Sequence, residues 1–493
     1  MVRTRIAPSP TGYPHIGTIY QIWLDYIFAK QNQGKFIIRV EDTDRERFVK
    51  DAEEKLYEAL EWFKISEDES PRKGGPFAPY RQSERLDLYK KYAQQLVSEG
   101  KAYYCFCSSE RLDEVRKEMQ KAGKPPMYDK KCRNLDITES EDRIKKGEPY
   151  VIRLKVLENQ KIIVHDLIRG EITFDSNSVD DQVILKSDSF PTYHLAVVVD
   201  DHLMEISHII RGEEWLPSSP KHKLLYDMFG WEMPKLLHTP TLRNADKSKL
   251  SKRQGHTNVS WYMEQGFLPE AVINFLSQLG WTHPEGKEIF NPTEFEKVFR
   301  LENISPAGPV FDVEKLKWMN GKYIREVLTD EDLINRIITY HEKFGSKTVG
   351  PLLIRGEIPL FSKEGLGELL PLIKERMDIL SQIYELTTFL NPEQDTDIEL
   401  VKKQSKKSPE EIRQLLADLK TDLETLDKWE TAEIEKAIRD LKSKYEDWGG
   451  RDYFMTIRVA TTAFPVTPPL FESIEVLGKE LILQRIESVL QHL

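Results

Sequence analysis

The sequence predicts an α/β protein: a parallel-sheet front half carrying an α+β insert, followed by an all-helical back half. Three observations carry this. Short apolar runs alternate with helical periodicity from Thr4 to about Val97. A group of short strand-like runs interrupts that alternation between Tyr150 and Lys186. From about Leu268 onward, apolar residues recur almost only at helical spacing.

Thr4–Ala7 reads as a short strand stopped by Pro8-Ser9-Pro10, and Thr11-Gly12-Tyr13-Pro14 reads as a turn. Ile19, Ile22, Trp23, Tyr26 and Ile27 then mark a helix that Gly34 ends, and Phe36–Val40 is a strand of the buried type. Leu56, Ala59, Leu60 and Phe63 mark the next helix, and a further one runs from about Leu86 to Val97. Tyr150–Val156, Lys161–His165, Glu171–Phe174 and Gln182–Lys186 are expected as strands of the insert. The run Tyr193-His194-Leu195-Ala196-Val197-Val198-Val199 is expected as a parallel-sheet strand, as is Ile206–Arg211. Ser219–Phe229 is expected as a helix with Pro220 at its start. In the back half, Pro269, Ala271, Val272, Phe275, Leu276 and Leu279 outline an amphipathic helix, and Ser408-Pro409 is a helix start.

The chain has 493 residues, room for about three domains at ~150 residues each. Lys and Arg total 71 against 82 Asp and Glu, a net charge of −11, which argues against a non-specific polyanion binder. The three cysteines exclude a disulfide scaffold and fit a reducing compartment. No apolar run reaches the ~18 residues of a membrane helix, and the first residues lack the composition of a targeting segment. A cytoplasmic protein with no membrane partner is expected.

Two segments carry chemistry. Pro14-His15-Ile16-Gly17-Thr18 lies where a turn after the first strand opens a helix. The N–H groups and dipole of such a helix start suit phosphate oxygens, His15 could donate to a phosphate, and Gly17 would let a nucleotide approach the backbone. The second is Asp246-Lys247-Ser248-Lys249-Leu250-Ser251-Lys252-Arg253-Gln254-Gly255. From Lys235 to Arg253 there are six basic residues and one acidic, net +5, a loop suited to a charged polyphosphate.

Together these segments resemble the two nucleotide signatures of the class I aminoacyl-tRNA synthetases. Thr18 stands in the last place of the His-Ile-Gly-His motif, and Lys249-Leu250-Ser251-Lys252-Arg253 stands for Lys-Met-Ser-Lys-Ser. Both variants are usual in the glutamyl-tRNA synthetase branch. The resemblance runs on through Arg39-Val40-Glu41-Asp42-Thr43-Asp44-Arg45, Pro191–His194, Val199–His202 and Ile210–Trp215, and reaches Met455–Arg458 and Leu470-Phe471.

This resemblance implies a Rossmann-type catalytic domain at 1–90 and 190–243, an inserted acceptor-binding domain at 91–189 and a stem-contact domain at 244–328. Helical anticodon-binding domains would follow at 329–398 and 399–493. It places Arg5 and Arg211 against the carboxylates of glutamate and Glu41 against its ammonium, with Ala7, Ser9 and Tyr193 completing the pocket. Where some members have Asn four residues after the tyrosine, this chain has Val197, which is left out of the site. For ATP the resemblance points to His15, Gly17, Glu214, Leu242, Lys249 and Lys252, with His15 and Lys252 the catalytic candidates. The implied reaction is ATP- and Mg²⁺-dependent: glutamate becomes glutamyl-adenylate, which then passes to the 2′-OH of the terminal adenosine of tRNA-Glu. In this family the first step usually requires bound tRNA. A non-discriminating form that also charges tRNA-Gln is the alternative, and a monomer is expected.

Cys105, Cys107 and Cys132 suggest zinc, which takes four ligands. Some relatives place the fourth ligand where this chain has Asn134. His165 or a water could stand in for it, and three plain thiols are the other reading. In the back half the resemblance marks Arg376, Arg458, Thr467 and Leu470 as anticodon contacts, with Arg376 associated with glutamate tRNAs. The lysines between Lys402 and Lys407 read as a solvated turn, with backbone contact to RNA as the alternative.

Overall fold

A computed structural model describes residues 1–44, 46–250, 257–345 and 352–493. The chain divides into two compact units, Met1–Trp261 with Val272–Asp312, and Tyr262–Ala271 with Val313–Leu493.

The first unit begins with β1 (Arg3–Ile6), α1 (Ile16–Gln31), β2 (Lys35–Ile38), α2 (Ala52–Trp62) and α3 (Leu86–Ser98). Next come β3 (Ala102–Cys105), α4 (Ser109–Lys121), α5 (Ile137–Lys145), β4 (Val151–Leu154), β5 (Lys161–Asp166), β6 (Gly170–Asp175) and β7 (Val183–Leu185). It returns through α6 (Tyr193–Leu203), β8 (His208–Gly212), α7 (Ser219–Phe229) and β9 (Lys235–Thr239). β1 pairs with β2 in parallel across α1, and β8 pairs with β9 in parallel across α7. The amide of Ser207, just before β8, donates to Arg3 O at 3.0 Å and brings these two βαβ pairs side by side.

The insert's strands divide between two sheets. β3, β4 and β7 form an antiparallel sheet of their own. The β5–β6 hairpin instead joins the parallel sheet, with Asp166 opposite Leu236 of β9. Asp166 thereby comes to lie beside the strand that carries His238, which matters for the site below.

One expectation is overturned. Tyr193–Val199, read as a strand, is the first part of α6. Leu195 to Asp201 are all buried, so this helix packs on every side and shows no polar stripe. A continuous β-branched run then resembles a buried strand, and packing overrides intrinsic propensity. α7 spans Ser219–Phe229 as expected and stops at Gly230, whose φ of 69° is left-handed and favours glycine.

Among the described residues the second unit is helical apart from a hairpin of two-residue strands, Leu353–Ile354 with Ile358–Pro359. Ser408 caps the helix Pro409–Glu424 through a reciprocal pair with Glu411, as the Ser-Pro start predicts. In the lysine cluster Lys402 lies in the helix Ile398–Ser405 and meets Glu399, while Lys406 and Lys407 lie just beyond it and meet Asp452 and Asp447, each within 3.1 Å. Among the described residues no helix is long and apolar enough to cross a membrane.

Candidate active site

A cavity of about 750 Å³ opens at the carboxyl ends of β1 and β8, the side of a parallel sheet on which such folds bind ligands. The chain leaving β1, from Ala7 through Thr18, forms one wall, and Arg211 to Trp215 with Pro240 to Leu242 form another. Arg5, Ala7, Ser9, Glu41, Tyr193 and Arg211 all line it, so one cavity gathers every residue assigned to glutamate from the sequence.

Beneath it lies a buried charge network. Arg5 grips Asp201 with Nε at 3.0 Å and Nη2 at 3.1 Å, and Arg39 Nη1 reaches the same carboxylate at 2.7 Å. Arg39 Nη2 donates to Glu41 at 3.0 Å. Asp200 accepts from Arg85 at 2.7 Å, Tyr89 at 2.7 Å and Gln82 at 3.1 Å. Burial pushes Glu41 up to about 7 despite Arg39, because Arg39 is shared with Asp200 and Asp201. An incoming ammonium would restore the carboxylate form.

Arg211 is held differently. It is buried, yet no carboxylate of a described residue pairs with it. Its short contacts are to neutral acceptors: His238 Nε2 at 3.0 Å, Ser219 Oγ at 3.0 Å and His222 Nδ1 at 3.3 Å. Two long contacts remain, Nη1 to Tyr193 Oη and Nη2 to Trp215 O, both 3.5 Å. They use one N–H from each terminal nitrogen, the pair a carboxylate takes in a bidentate bond.

His15 is the N-cap of α1, and its Nδ1 accepts the amide of Gly17 at 3.0 Å. The proton is therefore on Nε2, which makes His15 a donor there. Gly17 serves that placement, since a Cβ would sit 3.1 Å from His15 Nδ1. The expectation that helix-start amides bind phosphate needs correction. Ile16 N donates to Thr257 O at 2.8 Å and Thr18 N to His15 O at 2.8 Å, so with Gly17 N on the imidazole the first amides are satisfied within the protein. Glu214, Leu242 and Lys249 line the same cavity. Lys252 lies outside the described residues.

In the insert, the sulfurs of Cys105, Cys107 and Cys132 lie within 4.8 Å of one another. Tyr128 Oη is 3.3 Å from Cys105 Sγ and 3.4 Å from Cys107 Sγ, and it accepts the Cys132 amide at 2.9 Å. Asn134 and His165 are exposed, and neither belongs to this cluster. The Tyr128 hydroxyl thus lies against the cysteine sulfurs. Arg111 Nη1 lies 3.4 Å from Cys107 Sγ and the Arg153 guanidinium 4.0 Å over the Tyr128 ring, so positive charge offsets developing thiolates.

Within the second unit, Arg376 Nη1 donates to Thr467 O at 2.8 Å. Arg458 bonds both Thr467 Oγ1 and, at 2.9 Å, Pro468 O. Leu470 opens the next helix, Leu470–Leu477. All four anticodon candidates therefore meet around one loop, next to the 79% exposed Val466.

Residues 1–318 match the class I tRNA synthetase (E and Q) catalytic domain, and 339–490 match an anticodon-binding domain. The glutamate–tRNA ligase of Deinococcus radiodurans is 44% identical, with 98% of each chain covered. That of a Thermus thermophilus strain is 45% identical over 99% of this chain and all of the relative. The chain belongs to the class I glutamate–tRNA ligase family. A crystal structure of a glutamate–tRNA ligase from Elizabethkingia meningosepticum, solved with its amino acid, superposes with a TM-score of 0.88 at 35% identity, covering 99% of both chains. Membership implies ATP and a divalent metal.

Sequence reasoning left out Val197, which lines the cavity, and missed the supporting residues Arg39, Asp201, His222, His238 and Tyr128. For Arg39 and His238 there was a usable pattern: each is a charged or polar side chain in the middle of an apolar strand run.

Proposed function

We propose that the cavity of the first unit holds L-glutamate and ATP together and forms glutamyl-adenylate, and that the chain then esterifies tRNA-Glu. The observation that carries this is Arg211, a buried guanidinium with only neutral hydrogen-bond partners, in a cavity that Glu41 also lines and where an ammonium would favour the ionised carboxylate.

A carboxylate oxygen of glutamate attacks the α-phosphorus. The bond from that phosphorus to the bridging oxygen breaks, and pyrophosphate leaves with its electrons. The 2′-OH of the terminal adenosine then attacks the mixed anhydride, losing its proton as AMP departs. Neither step needs a covalent intermediate on the protein, so positioning and charge stabilisation carry the rate. Arg211 and Glu41 orient the amino acid, and His15 Nε2–H donates to phosphate oxygens. Lys249 and Lys252 supply positive charge where pyrophosphate leaves. We assign the divalent metal as Mg²⁺, a hard ion with oxygen ligands, and the oxygen-bearing Ser9 and Glu214 at the cavity suit it. It would neutralise phosphate charge.

We assign zinc to Cys105, Cys107, Cys132 and Tyr128, four donors of a type and spacing that suit it, where it would cross-link the insert. The insert would receive the acceptor end of the tRNA, and the loop around Thr467 the anticodon. Arg376 supports a chain specific for tRNA-Glu, acting as a monomer in the cytoplasm. Glutamate-dependent ATP–pyrophosphate exchange, measured with and without tRNA, tests the enzyme, and a folded protein with no exchange in either case refutes it. Charging purified tRNA-Glu and tRNA-Gln tests the specificity.

A further inference from the structure

Arg211 is the hub of a largely buried chain of hydrogen bonds that crosses five elements, α6, α7, β8, β9 and β5. His194 Nδ1 lies 3.1 Å from His222 Nε2, and His222 Nδ1 lies 3.3 Å from Arg211 Nη1. On the other side Arg211 Nε meets His238 Nε2 at 3.0 Å, and His238 Nδ1 meets Asp166 Oδ2 at 2.7 Å. Arginine only donates, so Nε2 of His238 and Nδ1 of His222 must both be bare acceptors. Asp166 enforces this at His238. Its Oδ2 accepts both the Nδ1 proton and, at 2.9 Å, the His238 amide, which leaves Nε2 as a lone pair aimed at Arg211.

Asp166 itself cannot turn away. Its Oδ1 accepts the amides of Ile168 at 3.1 Å and Arg169 at 3.0 Å, in the turn of the β5–β6 hairpin. The hairpin pairs with β9 at Asp166 opposite Leu236, two residues before His238. The sheet edge therefore sets the imidazole, and the imidazole sets the guanidinium.

We propose that Asp166 and His238 are positioning residues for amino-acid specificity: they aim Arg211 at the ligand carboxylate through a neutral acceptor, so that its charge is spent on the ligand rather than on the protein. This rests on the glutamate reading of the cavity. A carboxylate touching Arg211 directly would hold it as firmly, but would cancel the charge that separates an acid from the isosteric amide. Placing the carboxylate one imidazole away gives the same rigidity without the cancellation.

The test is steady-state charging of tRNA-Glu by the full chain, with KM taken separately for glutamate, ATP and tRNA, and with glutamine as competitor. His238→Leu leaves the buried Nε without an acceptor, and a lost bond to a charged group corresponds to about 10- to 100-fold. That rise is expected in the glutamate KM, with ATP and tRNA KM within about twofold and weaker rejection of glutamine. His238→Gln carries a carbonyl that can accept from Nε and is expected to recover most of the loss. Asp166→Ala frees the ring to take the wrong tautomer and is expected to act in the same direction as His238→Leu.

A folded His238→Leu protein with wild-type glutamate KM overturns the proposal. So does equal loss in the Leu and Gln variants accompanied by a rise in ATP KM, which is the pattern of a purely structural role. Arg211→Lys separates the two levels. If it leaves glutamate KM unchanged, the glutamate reading of the cavity fails. If it raises KM while His238→Leu does not, only the positioning role fails.

Discussion

Arg39 Nη2 donates to Oε1 of Glu41 at 3.0 Å, and burial nevertheless pushes that carboxyl up to about 7. An ammonium needs the ionised form, so glutamate should bind more weakly as pH falls through 7, by up to about tenfold per pH unit. KM for glutamate between about pH 6 and 8 checks this, and a flat profile contradicts it. Stability has the opposite sense. The folded value lies above the ordinary 4.5, so the contribution of Glu41 to the ligand-free protein is full below 4.5 and is lost as pH rises through about 7.

The His15 ring is oriented by the bond from the Gly17 amide at 3.0 Å. His15→Ala should lower adenylate formation by about 10²-fold, the usual cost of one donor to a developing charge. Gly17→Ala brings a methyl to 3.1 Å from Nδ1 and must displace the ring, so it should fall in the same direction by about tenfold. Single-turnover adenylate formation at saturating tRNA distinguishes both from a tRNA-binding defect.

Lys252→Ala should reduce adenylate formation more than tRNA affinity. Equal losses in pyrophosphate exchange and in tRNA binding would contradict its assignment to the leaving pyrophosphate.

Fresh protein should contain about one zinc per chain. Cys132→Ser should abolish it, and Tyr128→Phe should weaken it by removing the oxygen 3.3 Å from Cys105 Sγ. Metal analysis and thermal unfolding with and without chelator measure this. Metal-free protein whose Tm ignores the chelator would sink the zinc site.

Arg376 and Arg458 converge on Thr467. Arg376→Ala should raise KM for tRNA-Glu about tenfold and leave kcat within twofold, as expected of a residue proposed to contact the anticodon alone. A fall in kcat at unchanged KM would place the arginine elsewhere in the cycle.

Much of the candidate site was legible through the family resemblance, whose motifs sit on elements with local rules. Arg5 sits on a strand stopped by prolines, His15 at a helix start, and Arg211 at a strand end before Gly212. The cysteine spacing pointed to a metal, but the hydroxyl proposed as its fourth donor was not legible. Tyr128 carries no metal-binding pattern that a cysteine count reveals, and it reaches the sulfurs only because that loop folds back on them. α6 was misread because Leu195 to Asp201 are buried on every face, and periodicity cannot then separate helix from strand.

The sequence by itself determined the α/β front, the helical back, the two candidate nucleotide segments and, through its family resemblance, the residue types that line the cavity. These follow from short-range periodicity, turn chemistry and motif spacing, all of which act over a few residues. The tertiary structure decided which charges are cancelled and which are kept. Arg5 is bound to Asp201, 196 positions away, whereas Arg211 meets His238, 27 away, whose proton is fixed by Asp166, 72 further back. Two arginines of the same type therefore have different roles, because an arginine's electrostatic reach depends on the groups the fold buries beside it.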